Sequence, residues 1–356
     1  MDPKSDGTCR NSDSDIEAGA DEDEVEDKNR DADSIATHST ARDEGVTEEK
    51  PLIETDYDLD TLDHFLIHRR KFQLWSPQYW GPIDEAQFEC YDIAHHFLTM
   101  VKEDRLFEAP IGENPSRILD LGTGTGIWAI DMADKYPSAE VIGTDISPIQ
   151  PNWVPPNCHF YLEDAHAEWV EKKASLDFVH IRGLYGSITD WPQLYKEAYR
   201  ALAPGGWIEH LEFDITPYSH VPEVMGDKDH IFKQWSGILL SAMDRTGMTG
   251  RIGMDGNIRK HLEGAGFVDI VEKTYRIPCG QWDHDLKQKE IGALNLLFMD
   301  KGLEGFALFL LTKIMGWEYT EITMFVTRMR RALRDTKSQA YYLVTNVYAK
   351  RPELPT

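Results

Sequence analysis

The rhythm of apolar positions changes three times along this 356-residue chain. Up to residue 60 there is no apolar periodicity, and no aromatic residue precedes Tyr57. Further on, Phe88, Tyr91, Ala94, Phe97, Leu98 and Val101 recur at helical spacing and predict an amphipathic helix over residues 84–102. Asp84 stands as its N-cap, with Gln87 three residues on as a capping-box partner. From Arg117 short apolar runs alternate with helical patterns. Strands are predicted at Arg117–Leu121, Glu140–Thr144, His159–Leu162, Leu176–Ile181 and Trp207–Phe213. Helices are predicted at Ile127–Lys135 and after Asp190, the second closed by Ala203-Pro204-Gly205-Gly206.

The last third is more helical. A helix at Asn257–Glu263 precedes a sixth strand at Phe267–Ile277, and Ala340–Lys350 reads as a seventh. Helices at Leu286–Met299, Leu303–Met315 and Thr320–Arg334 fall between them, and another insert, Asp227–Arg245, follows the fifth strand. Strands separated by helices argue for an α/β fold with a doubly wound, seven-stranded, mostly parallel sheet. The expected organisation is an acidic, disordered segment 1–60 and a domain 61–356. That domain carries an upstream helix (84–102) and a helical cap (about 286–335) that roofs the ligand site or extends the core.

Charge sharpens the first boundary. Residues 1–60 hold 21 Asp or Glu against 6 Lys or Arg, so most of the chain's net charge of −25 sits there. Such a segment buries too little apolar surface to offset its ordering entropy. The acidic balance argues against direct nucleic-acid binding. The basic run His68–Lys71 reads as a solvated helix face. His64 and His68 are four apart, but two histidines without a third ligand do not make a metal site. The four cysteines are far apart and read as free thiols of a reducing compartment. With no signal peptide and no apolar run long enough to span a bilayer, the expectation is a soluble intracellular protein.

The chemistry concentrates at residues 120–126, Asp-Leu-Gly-Thr-Gly-Thr-Gly, between a buried strand and a helix. Glycines at 122, 124 and 126 allow a sharp turn and close approach to a ligand. The spacing is GxGxG, not the GxGxxG of a dinucleotide site. Asp120 would repel a pyrophosphate and favour a cationic ligand. S-adenosylmethionine, with its ammonium and sulfonium, fits that charge. Asp145 ends the second strand, 23 residues after Gly122, where a ribose-binding acid belongs. Asp164, after the third strand, is a candidate acceptor for an adenine amino group. Candidate bases sit at the ends of the fourth and fifth strands: His180, Arg182, Tyr185, His210, Glu212 and Asp214. Of these His180, His210 and Glu212 are taken as catalytic candidates, each with structure as its alternative role. Strand alternation puts His180 with Arg182 on one face, and His210 with Glu212 and Asp214 on one face of the next strand. Trp191 reads as a packing residue, and no NPPY-type segment follows the fourth strand.

The stretch Ser116–Phe213 resembles a class I methyltransferase, through DLGTGTG, GTDIS at 143–147, EDA at 163–165 and LAPGGWIEHLE at 202–212. More narrowly, GIWAIDMADKYP at 126–137, PIQPNWVPPNC at 148–158 and SITDWPQLYKEAYRALAPGGWIE at 187–209 resemble the fungal LaeA-like methyltransferases. The likeness extends from YWGPIDEAQFECYDIAHH at 79–96 to RIPCGQW at 276–282. Pro82, Asp84, Glu85 and Glu89 match the family's upstream motif, whereas Tyr91 stands where a basic residue is usual. The resemblance implies S-adenosylmethionine as cofactor, held at Asp120, Gly122, Thr123, Gly124, Gly126, Asp145, Ile146, Asp164 and Ala165. It also implies either a tailoring enzyme with a small-molecule acceptor, or a regulator of secondary metabolism with velvet-type partners and a protein acceptor. A scaffold that binds the cofactor without transfer is a third possibility. The implied location is cytoplasmic, nuclear or both.

Overall fold

The computed structural model describes residues 64–74 and 79–354. The acidic segment 1–60 and Cys9 lie outside the described residues. The first described element is a hairpin, β1 (His64–Ile67) and β2 (Arg70–Gln73), where a solvated helix face was expected. His68 and Arg69 take φ of 46° and 72° and form its two-residue turn. This is the backbone a tight hairpin requires, though neither residue is a glycine to announce it. Arg70 is not solvated either: its Nε and Nη2 donate to Asp84 at 2.6 and 2.8 Å.

Asp84 also caps α1 (Glu85–Val101), accepting from the Gln87 amide at 3.2 Å. The Gln87 side chain is buried, and its Oε1 has no hydrogen-bond partner among the described residues. Then follow β3 (Arg117–Leu121), α2 (Ile127–Lys135), β4 (Glu140–Asp145), β5 (Cys158–Leu162), β6 (Leu176–Arg182) and α3 (Trp191–Ala201), each within two residues of its expected bounds. Next come β7 (Leu202–Ser219), α4 (Pro222–Gly226), α5 (Ile231–Arg245), α6 (Asn257–Ala265) and β8 (Val268–Pro278). The chain closes with α7 (Leu286–Phe309), a π-helical turn (Leu310–Ile314), α8 (Tyr319–Arg334) and β9 (Ala340–Lys350).

The seven-stranded sheet has the order β5-β4-β3-β6-β7-β9-β8. Its first five strands are parallel, and β9 enters antiparallel between β7 and β8. The chain winds outward from β3 to β5 on one side and from β6 onward on the other. The crevice at the end of β3 and β6 is therefore the switch point where open α/β sheets bind ligands.

Three further expectations are corrected. Ala203–Gly206 lies inside β7 rather than outside the sheet, as a bulge between the pairs Leu176/Leu202 and Phe178/Trp207. β7 also runs past Phe213 to Ser219, with a register shift after Asp214 where Pro217 has no amide for the ladder. Finally, the helices expected at 286–299 and 303–315 run together without a break, as α7 and the π-helical turn that follows it. The gap expected at 300–302 holds Gly302, where a Cβ would come within 2.4 Å of the Phe306 ring on the same helix, so this glycine makes room for that ring rather than a break.

Candidate functional site

The loop after β3 opens a cavity of about 160 Å³ at the switch point. Nine cofactor positions were expected there. Asp120, Gly122, Thr123, Gly124, Asp145, Ile146, Asp164 and Ala165 line the cavity, and Gly126 does not. Gly126 has φ of 79°, opens α2 and packs under the ring of Phe160, where a Cβ would collide. Gly122 has φ of 69°, and a Cβ there would come within 2.5 Å of Leu184.

The loop's amides explain what it cannot cradle. Gly122 and Thr123 donate to the Thr144 carbonyl at 2.8 and 2.9 Å, and Gly126 donates to the Thr123 carbonyl at 3.0 Å. Gly124 donates to Asp145 Oδ2 at 2.8 Å. Four amides that would face the phosphates of a dinucleotide are thus spent within the protein.

The cavity's charge has a definite pattern. Asp120, Asp145, Glu163 and Asp164 all contribute to its wall. Asp120 is buried, accepting from Thr123 Oγ1 at 2.6 Å and from His180 Nδ1 at 2.7 Å. Asp145 also accepts from the Ser147 amide at 2.9 Å. Burial pushes its carboxyl up to about 6, and its backbone bonds from Gly124 and Ser147 only partly offset that. Asp164 accepts from the amide and Nδ1 of His166 at 2.9 and 2.8 Å. Against these acids stands one guanidinium in the wall, Arg182. Its Nη1 donates to His95 Nδ1 at 3.1 Å, and His95 Nε2 donates to Asp131 at 2.9 Å. Among the described residues, no carboxylate lies in ion-pair contact with Arg182. Burial holds its pKa below the usual guanidinium range despite the fields of Asp120, Asp131 and Asp92.

The three catalytic candidates lie elsewhere. His180 is fully buried, stacked on Trp128 at 3.7 Å, and does not line the cavity. Burial lowers its pKa to about 4, so it is a neutral ring beneath Asp120. His210 and Glu212 are also fully buried and outside the lining. His210 bonds Tyr195 Oη at 2.6 Å and Glu212 at 2.8 Å, and Glu212 accepts from the Leu184 amide at 2.7 Å. Trp191 stacks on His210 at 5.2 Å. Strand alternation gave the right faces, but α2 and α3 cover those faces. The observed arrangement is a support under the Gly183–Leu184 turn.

Sequence reasoning missed the wall opposite the loop. Gln87, Tyr91, Ala94 and Leu98 of α1 face the cavity together with Tyr79 and Trp80. The hydroxyls of Tyr79 and Tyr91 are 2.8 Å apart, and burial raises both phenols above their usual range. Helical periodicity assigns these α1 residues to a buried face without saying that the face borders a cavity. Phe298 and Phe306 of α7 and Phe213 of β7 complete the apolar side.

A family model described as a methyltransferase domain matches residues 93–268. The secondary metabolism regulator LAE1 of Cochliobolus heterostrophus is 38% identical over 281 residues, covering 77% of this chain and 90% of that protein. The methyltransferase pytC of Aspergillus terreus is 33% identical over 316 residues, covering 86% of this chain and 95% of that protein. The chain belongs to the LaeA-like methyltransferases. Among solved structures, phosphoethanolamine N-methyltransferase 2 of Haemonchus contortus, in complex with S-adenosyl-L-methionine, is 18% identical with a TM-score of 0.41, covering 72% of this chain and 52% of that one.

As a LaeA-like methyltransferase the chain takes S-adenosylmethionine as its cofactor. The cavity fits that molecule: spent loop amides and an acidic wall disfavour phosphate and favour a cation. The described residues contain no group of three or more His, Cys, Asp or Glu able to hold a metal ion. No helix among them is long and apolar enough to cross a membrane.

Proposed function

We propose that this LaeA-like methyltransferase methylates a small-molecule acceptor in secondary metabolism, with its cofactor seated end to end by charge. The observation that carries this reading is the cavity wall: four carboxylates and one guanidinium with no carboxylate in ion-pair contact among the described residues. S-adenosylmethionine is cationic at its ammonium and sulfonium and anionic at its carboxylate. In this reading Asp145 accepts from the ribose hydroxyls, with Ile146 beside the base. Asp164 and Ala165 recognise the adenine edge. Asp120 supplies negative field near the ammonium, and Arg182 receives the carboxylate.

The chemistry supplied by the bound cofactor is an activated methyl on sulfur, transferred in line to a nucleophile. Tyr185, the phenol lining the cavity from β6's end, is held protonated by burial and is no base at neutral pH. With His180, His210 and Glu212 outside the lining, this chain's contribution is to align the acceptor and exclude water. Trp80, Tyr79, Tyr91, Phe298 and Phe306 supply the closing wall.

A second reading is a regulator of the LAE1 kind, working in the nucleus with velvet-type partners and a protein acceptor. The match over 90% of LAE1 favours it. The test is methyl transfer from radiolabelled S-adenosylmethionine into cell extract by the full chain. Label in an organic-soluble product is expected. Label confined to protein would replace this reading with the second, and cofactor binding with no transfer to any fraction would overturn both.

A further inference from the structure

Behind the cofactor cavity lies a second chamber of about 40 Å³. Trp80, Tyr185, Phe213, Phe298 and Phe306 line both spaces, so the two adjoin across an aromatic wall. The remaining wall comes from α5, through Trp235 and Leu239, from α7, through Met299, and from Tyr342 of β9. These are the helical inserts and the antiparallel strand, the parts of the chain outside the parallel half of the sheet.

The polar groups in this chamber are few. Asp214 is already engaged: Oδ1 accepts from the Thr216 amide at 2.8 Å and Oδ2 from the Tyr218 hydroxyl at 2.6 Å. Asn295 donates to the Pro278 carbonyl at 2.9 Å. Two groups have no partner: the hydroxyl of Tyr342, on a residue 4% exposed, and Nε1 of Trp80, on a residue 8% exposed. A buried donor left unmatched is costly, and both of these side chains line the same chamber. No Lys or Arg lines it, so an anion has no partner there, and the one carboxylate already holds an amide and a hydroxyl.

We propose that this chamber is the inner end of the acceptor subsite and that it takes the edge of an uncharged, flat ring whose body lies against the aromatic side chains shared with the larger cavity. That edge carries an oxygen, carbonyl or phenolic, which accepts from the Tyr342 hydroxyl. The proposal rests on reading the larger cavity as the S-adenosylmethionine site. It narrows the acceptor class to oxygenated aromatic or quinonoid ring systems.

The test is calorimetry on the full chain saturated with S-adenosylhomocysteine, using 2-naphthol, naphthalene and 2-naphthylmethylamine as probes. The wild-type protein should bind 2-naphthol about tenfold more tightly than naphthalene. Tyr342→Phe should abolish that preference, leaving the affinities for naphthalene and S-adenosylhomocysteine unchanged. Leu239→Phe, which narrows the chamber from α5, should weaken both neutral probes about tenfold without affecting S-adenosylhomocysteine. No probe binding, a preference that survives Tyr342→Phe, or tightest binding of the ammonium probe would each overturn the subsite while the cofactor reading stands. Failure of S-adenosylhomocysteine itself to bind would remove the cofactor reading and the subsite together.

Discussion

Arg182→Gln separates the two charged ends of the proposed cofactor pose. The guanidinium lines the cavity, is held only by His95, and has no carboxylate in ion-pair contact among the described residues. A hydrogen bond between charged partners contributes about 1.5–3 kcal/mol, and each 1.4 kcal/mol is about tenfold in affinity. Losing the contact should therefore weaken S-adenosylmethionine by about 10- to 100-fold. The ligand 5′-methylthioadenosine lacks the amino-acid end, so its affinity should change less than about twofold by the same reasoning. The folded protein without ligand should not suffer. Burial lowers the pKa of Arg182, which means that the fold disfavours its charge, and a neutral side chain relieves that cost. Calorimetric titration of both ligands, with a melting curve of each ligand-free protein, gives the result. Equal weakening of the two ligands at an unchanged melting temperature would refute the assignment, as would unchanged affinity for S-adenosylmethionine.

Other residues give sharper single tests. Asp145→Ala should cost S-adenosylmethionine affinity about 100-fold or more, because two ribose hydroxyls lose a charged acceptor; unchanged affinity by calorimetry would sink the ribose assignment. The Asp145 carboxyl sits at about 6 in the fold against 3.8 for a free one. Cofactor affinity should therefore fall as pH drops through about 6, while this group's own contribution to ligand-free stability rises over the same range and is lost again above it. A pH-independent affinity between 5 and 8 would count against an ionised Asp145 as the ribose acceptor. Gly122→Ala, at φ of 69° and with a Cβ 2.5 Å from Leu184, should cost about 1–3 kcal/mol in urea unfolding. Tyr195→Phe should cost about 1 kcal/mol by losing its bond to His210, with kcat/KM held within about twofold. A large fall in kcat at unchanged stability would return that buried network to the catalytic machinery.

What could be read in advance follows from how far each signal reaches along the chain. The parallel half of the sheet was legible because buried parallel strands are short apolar runs, and because Gly122, Gly124 and Gly126 mark the turn between β3 and α2. Asp145 was legible from its place at the end of β4. The β1–β2 hairpin was not, since its turn uses positive φ at His68 and Arg69 rather than at glycines. The join within α7 was hidden because Gly302 interrupts the apolar pattern, and only the folded helix, with the Phe306 ring packed against that glycine, shows why it is there. The catalytic candidates lie off the cavity lining for a related reason. Alternation along β6 and β7 tells which residues share a face, but not whether a helix covers it. Trp128 of α2 covers His180, and Trp191 and Tyr195 of α3 cover His210. The wall formed by Tyr79, Trp80 and α1 depends on contacts between distant segments, and local pattern carries none of that.

The central claim is that the loop after β3 holds a cation-bearing cofactor and not a dinucleotide. Calorimetric titration of the full chain with S-adenosylmethionine and, separately, with NAD tests it most directly. The account predicts one site for S-adenosylmethionine and no measurable heat from NAD, since the amides of Gly122, Thr123, Gly124 and Gly126 are spent and Asp120 and Asp145 face the ligand. NAD binding that competes with S-adenosylmethionine at comparable affinity would contradict it.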